Sequence, residues 1–161
     1  MATRSPPPPV PPVPSGAPTP VGCTNLKLKQ ASRLVARHYD VFVAPTGLRG
    51  TQYSLLSHVV KLGPLRAGEL AASMRLDAST LSRNLQPLID HGWVQVTAGS
   101  DGRSRVVQAS ASGLALRSDA QQAWKRAQVA LNDTLGTARV AALHALLDEC
   151  MGRLEAAESS R

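Results

Sequence analysis

The chain predicts a mainly α fold: six helices, with one β-hairpin between the fourth and the fifth. Three observations predict it. Gly68 to Met74 is a short helix-forming stretch, and a tight turn separates it from the amphipathic segment Asp77 to His91. Gly92 stops that segment, and Trp93, Val94 and Val96 follow as a short apolar strand. Ala98-Gly99-Ser100-Asp101-Gly102 is turn chemistry, after which Arg105-Val106-Val107 starts a return strand. Helix, turn, helix and hairpin in that order make a winged helix-turn-helix.

The elements follow in order. The amino end, 1–22, holds most of the twelve prolines and little that could build a core. It is expected to be a disordered or polyproline-like tail. From Cys23 to Val43, Leu26, Ala31, Leu34, Val35, Val41 and Phe42 recur at near-helical spacing. This first helix is expected to end near Ala44-Pro45, because the residue before a proline disfavours the helical region. Thr51 to Leu62 is the second helix, closed by Gly63-Pro64, and Gly68 to Met74 is the third. Ser110 caps a long fifth helix reaching Leu135, and Gly136 breaks it. The sixth runs from about Thr137 to Glu155. Val140, Leu143, Leu146, Leu147, Cys150, Met151 and Leu154 lie on one broad stripe, which predicts a buried Cys150.

The fourth helix carries the most chemistry. Asp77 sits where an N-cap belongs, because its carboxylate can accept the orphan amides of the first turn. Leu81, Leu85, Leu88 and Ile89 form one apolar stripe, and Ser79, Arg83 and Gln86 fall opposite, flanked by Thr80 and Asn84. Arginine can grip a guanine edge with two donors, and short polar side chains reach other base edges or phosphates. Alone, such a helix is more often an ordinary amphipathic surface helix. The hairpin beside it shifts the balance. Its tip carries Asp101 and Arg103, and a carboxylate two residues before an arginine can hold the guanidinium in one orientation.

Composition agrees. Net charge is +7 over 161 residues, which suits a polyanion partner. The excess lies in the first helix (Lys27, Lys29, Arg33, Arg37 against Asp40) and between Arg49 and Arg105, while the segment after Gly136 leans acidic. Two cysteines, Cys23 and Cys150, make no disulfide framework. His38, His58, His91 and His144 show no ligand spacing with them, so no metal and no cofactor is expected. No phosphate loop or nucleophile elbow occurs, so no enzyme is expected. No apolar run is long enough to span a membrane and no signal peptide is evident, so a reducing cytoplasm is expected.

The residues now support a resemblance. Asp77-Ala78-Ser79-Thr80-Leu81-Ser82-Arg83-Asn84-Leu85, Gly92-Trp93-Val94 and Asp101-Gly102-Arg103-Ser104 together resemble the MarR (multiple antibiotic resistance regulator) family of transcription factors. Gly47-Leu48, Gln52-Tyr53 and Leu55-Leu56 resemble the start of that family's second helix, and Ser110-Ala111-Ser112-Gly113 its entry into the fifth. The resemblance runs from Cys23 to Leu154. Three departures stand out. Val96 occupies a position where a basic residue is common, Arg49 and Gly50 replace the usual polar cap, and Pro87 lies inside the fourth helix. A kink or an opening at Arg83 is expected from Pro87, which removes an amide donor.

The resemblance implies a homodimer whose first, fifth and sixth helices intertwine across a two-fold axis. On that reading 23–47 is an N-terminal dimerisation helix, 48–109 the DNA-binding winged helix, 110–157 the C-terminal dimerisation helices and 158–161 a tail. The implied partner is double-stranded DNA carrying a pseudo-palindromic operator. The DNA-binding residues are Ser79, Thr80, Arg83, Asn84, Gln86, Asp101, Arg103 and Arg105. The implied effector is a small organic ligand, an aromatic or phenolic acid, with Arg37, His38, Tyr53 and His58 as its polar lining. Two alternatives stay open. Cys23, near the positive end of the first helix and Lys27, would serve as the thiol of a redox-sensing repressor. Alternatively, the winged helix would be a protein-interaction module, which need not keep cations at both Arg83 and Arg103.

Overall fold

The computed structural model describes residues 19–99, 102 and 104–160. Asp101 and Arg103, and the tail up to residue 18, lie outside the described residues. Six helices run in order: α1 Thr24–Val43, α2 Gly50–Leu62, α3 Ala67–Ser73, α4 Ala78–Asp90, α5 Ala111–Leu135 and α6 Thr137–Ser159. Three strands join them: β1 Leu65–Arg66, β2 Val94–Ala98 and β3 Arg105–Ala109. The sheet order is β1-β3-β2. β2 and β3 pair antiparallel from Val94 opposite Ala109 to Ala98 opposite Arg105. No local pattern marks β1 in the sequence. Two residues are too few for a periodicity, and their pairing with Val106 and Val107 is made across the fold.

The chain divides into two units, Gln30–Leu131 and Met1–Lys29 with Asn132–Arg161. The larger unit holds the winged helix and its core. Leu48, Leu55, Leu56 and Val59 meet Leu70, Leu81, Leu85 and Leu88 of α3 and α4, and Val94 and Val107 of the wing strands. α5 joins this core through Ala120, with Leu116 packed against it, and Gly113, Ala123 and Ala127 are buried on the same helix. Gly113 lies so close to Trp93 that an added Cβ would meet the Trp93 carbonyl oxygen at 2.0 Å. Ser110 caps α5 as its hydroxyl accepts the Gly113 amide at 3.1 Å, and donates to the Gly92 carbonyl at 2.7 Å. The second half of α1 is held to α5 by His38 Nε2, which donates to the Ala127 carbonyl at 2.9 Å, and by Tyr39, which donates to Gln128 at 2.6 Å.

In the smaller unit, α6 buries Val140, while Leu143, Leu146 and Leu154 are exposed. On α1, Leu26, Leu28, Leu34 and Val41 are likewise exposed. Cys150 is exposed rather than buried, because in the single chain the α6 stripe has little covering it. No helix among the described residues is long and apolar enough to cross a membrane.

Candidate nucleic-acid interface

α4 begins as the sequence requires. Asp77 is its N-cap and accepts the Thr80 amide at 2.8 Å. The same carboxylate accepts the Ser79 hydroxyl at 2.5 Å and the Thr80 hydroxyl at 2.7 Å. These bonds hold the Asp77 carboxyl well below the usual carboxylate range, the Ser79 hydroxyl contributing most and Thr80 next. Arg83 Nη2 donates to the Thr80 oxygen at 3.3 Å. α4 continues unbroken through Pro87, so the expected opening at Arg83 does not appear as a break in the helix. The carbonyl that loses its amide partner sits on an exposed stretch, where water can replace it. Gly92, at φ +71°, takes the left-handed conformation that ends the helix.

Leu81, Leu85 and Leu88 face the core, which leaves Ser79, Arg83, Asn84 and Gln86 exposed on one surface. Thr80 is half-buried beside them. Gln86 is engaged, its amide donating to Asp90 at 2.7 Å. The wing closes with Gly99 N–H donating to the Ser104 carbonyl at 2.8 Å and Gly102 N–H to the Gly99 carbonyl at 2.9 Å. Arg105 is exposed at the start of β3, opposite Ala98.

Sequence reasoning missed one part of this surface. Arg49, Thr51 and Gln52 share a cleft of about 150 Å³ with Arg83, Asn84 and Pro87. The first turn of α2 therefore borders the polar face of α4. Its cap is only partly local. Asp40 of α1 accepts the Gly50 amide at 2.7 Å, while the Gln52 side chain accepts the Arg49 amide at 2.8 Å.

A second feature lies within the larger unit, between α1, α2 and α5. A cavity of about 470 Å³ is lined by Tyr53 and His58, and also by Tyr39, Arg117, Gln121 and Trp124. The Tyr53 and Trp124 rings stack with centroids 6.2 Å apart. Burial pushes the Tyr39 phenol above its ordinary pKa. Arg117 Nη1 donates to Gln121 at 2.9 Å, but its buried Nε has no partner, and neither does the buried Ser57 hydroxyl beside the cavity. Arg37 does not line the cavity and is exposed on α1, and His38 turns to Ala127 instead. Arg117, Gln121 and Trp124 escaped the sequence reading because α5 meets α1 and α2 only in three dimensions.

Exposed polar helix, wing and helical flanks define a winged helix-turn-helix protein. Residues 46–104 match the MarR family model. The chain is 31% identical over 81 residues to the uncharacterized HTH-type transcriptional regulator YwoH of Bacillus subtilis. That match spans 50% of this chain and 59% of the relative, so the chain covers less than two thirds of it. The transcriptional regulator MosR of M. tuberculosis, solved in complex with DNA, is 28% identical with a TM-score of 0.66, covering 80% of this chain and 98% of that one. A mutant MarR from E. coli, complexed with operator DNA, has a TM-score of 0.70 at 20% identity, covering 78% and 91%, a likeness of fold. Over residues 46–104 the chain is thus similar to the MarR family of transcription regulators.

Proposed function

We propose that the protein is a homodimeric, sequence-specific DNA-binding regulator, a repressor released from a pseudo-palindromic operator by a small aromatic or phenolic acid. The observation that carries the reading is the exposed face of α4, where Arg83 and Asn84 stand beside Arg49 and Gln52 of α2. Such a face fits a major groove, with the wing reaching the adjacent minor groove through Arg103 and Arg105. Ser79, Thr80 and Gln86 flank the contact, and Asp101 belongs to the same proposed set. A relative of the same fold was crystallised with DNA, which favours this reading over a protein-docking winged helix.

The exposed leucines of α1 and α6 support the dimer, because a soluble chain rarely leaves two apolar helical faces open. A two-fold assembly presents two reading helices one DNA turn apart. The 23–47 and 110–157 segments then serve as dimerisation helices around the 48–109 reader. The protein acts in the bacterial cytoplasm, at the nucleoid through its DNA.

The cavity supports the effector. Aromatic walls suit a ring, and Arg117, with an unpaired Nε, suits a carboxylate. Tyr53 and His58 are the residues of the sequence-based lining that border it. Selection of bound duplexes from a random pool, repeated with aromatic acids and with peroxide, tests the whole reading. In a salt-controlled titration on the selected duplex, Arg83→Ala costs about 1–3 kcal/mol and relaxes base preference, and Arg103→Ala weakens binding by a similar order. Unchanged binding in both variants would hand the function to the protein-interaction alternative.

A further inference from the structure

The hydroxyl of Thr80 has two partners, and both belong to its own helix. It donates its proton to Asp77 Oδ2 at 2.7 Å, and its oxygen accepts from Arg83 Nη2 at 3.3 Å. We infer that Thr80 is a positioning residue, which fixes the Arg83 guanidinium for base reading through the chain Asp77–Thr80–Arg83. The inference rests on the DNA-binding reading and changes the role of Thr80 within it, from a contact to a support.

The physical argument has three steps. A hydroxyl that donates to a carboxylate is polarised, and its oxygen becomes a better acceptor for the next donor. The Asp77 carboxylate is committed to this arrangement by its other bonds, to the Ser79 hydroxyl and the Thr80 amide. Arginine carries five N–H donors in a planar fork. One is used on Thr80, which leaves the others to meet a guanine edge in a plane that Thr80 sets. An exposed arginine without such a hold samples many rotamers and loses that freedom on binding. Because its proton goes to Asp77, the Thr80 hydroxyl has no donor left for a base.

Thr80→Val isolates the hydroxyl. Valine keeps the shape and the backbone amide that Asp77 caps, and removes both side-chain bonds. The readout is selectivity: affinity for a duplex selected from a random pool, divided by affinity for the same duplex with each base pair replaced in turn. Arg83→Ala identifies the base pair that Arg83 reads. At that pair, Thr80→Val is expected to lower selectivity about fivefold, part of the discrimination a bidentate pair supplies. Thr80→Ser, which restores a hydroxyl, should stay within about twofold of wild type. On the Arg83→Ala background, Thr80→Val should change selectivity no further. Persistence of the loss on that background would make Thr80 a contact in its own right and overturn the inference. So would a loss at a different base pair, or no loss at all. If Arg83→Ala itself left selectivity unchanged at every pair, Arg83 would not be a reader, and the DNA-binding reading of α4 would fall together with the inference.

Discussion

The carboxylate of Asp40 on α1 accepts the amide of Gly50 at 2.7 Å, so one helix supplies the N-terminal cap of another ten residues further on. Both residues line the cavity between α1, α2 and α5, and the turn they fix also borders Arg83. Asp40→Ala is expected to destabilise the fold by about 1 kcal/mol, the usual cost of a lost N-cap. Asp40→Asn, which keeps an acceptor oxygen, should cost less. Urea titrations of the two variants decide it. Equal losses would mean that the charge, rather than the hydrogen bond, carries the effect.

Gly113 tests the junction of wing and α5. A Cβ there would stand 2.0 Å from the Trp93 carbonyl oxygen, a backbone atom that cannot swing aside. Gly113→Ala should cost roughly 1–3 kcal/mol or more by overpacking. Gly68→Ala in α3 is the control, since nothing lies within 4 Å of the added Cβ. It should be neutral or slightly stabilising, by at most about 1 kcal/mol. Thermal melts of both variants give the comparison, and similar behaviour would refute the close approach.

Asp77 predicts a pH dependence. Its carboxyl is held below the usual range in the folded chain, first by the Ser79 hydroxyl and then by Thr80. A group depressed on folding contributes fully above its unfolded pKa, and the contribution fades as pH falls through the folded value. Asp77→Ala should therefore lower stability at neutral pH, and the gap from wild type should narrow once the solution is more acidic than about pH 4. Because the group is exposed, solvent screens the effect. A gap independent of pH would show that the cap acts through shape alone.

The open leucine faces predict the assembly. Leu146→Glu combined with Leu154→Glu, at two exposed α6 positions, should convert a dimer to a monomer in analytical ultracentrifugation. DNA affinity should fall with it, because each monomer then presents one reading helix. Far-UV circular dichroism should stay close to wild type, since both side chains are exposed in the single chain. A dimer that survived both glutamates would place the interface elsewhere.

The effector is predicted to act through the cavity and not through Cys23. Arg117→Met should abolish release from DNA by aromatic carboxylates, while Cys23→Ser should retain it. A tenfold loss of DNA affinity on ligand binding corresponds to about 1.4 kcal/mol of coupling. Trp124, at the cavity wall, offers a fluorescence readout of binding that is independent of DNA. Cys23 is an exposed free thiol. Peroxide release that vanished in Cys23→Ser, with no acid active on the wild type, would establish the redox alternative.

The α4 helix and its exposed polar face were legible in the sequence because they are local. An N-cap carboxylate, a four-residue apolar rhythm and a terminal glycine act within a few turns of one helix, so Asp77, Leu81, Leu85 and Gly92 announced α4. Its polar face followed from the period alone. The engagement of Gln86 with Asp90 and of Thr80 with Arg83 did not follow, because side-chain partners depend on rotamers that periodicity leaves open.

The remaining features needed the tertiary structure. β1 exists through its partners in β3, and the start of α2 through a carboxylate on α1. The cavity arises where Tyr39 and Tyr53 of the neighbouring helices α1 and α2 meet Arg117 and Trp124 of the distant α5. The exposed α6 stripe illustrates the same division. The sequence determined that this face is apolar, because leucine spacing is a property of one helix. Whether a single chain covers that face is decided by packing between elements, and in this fold Leu143, Leu146 and Leu154 stay open.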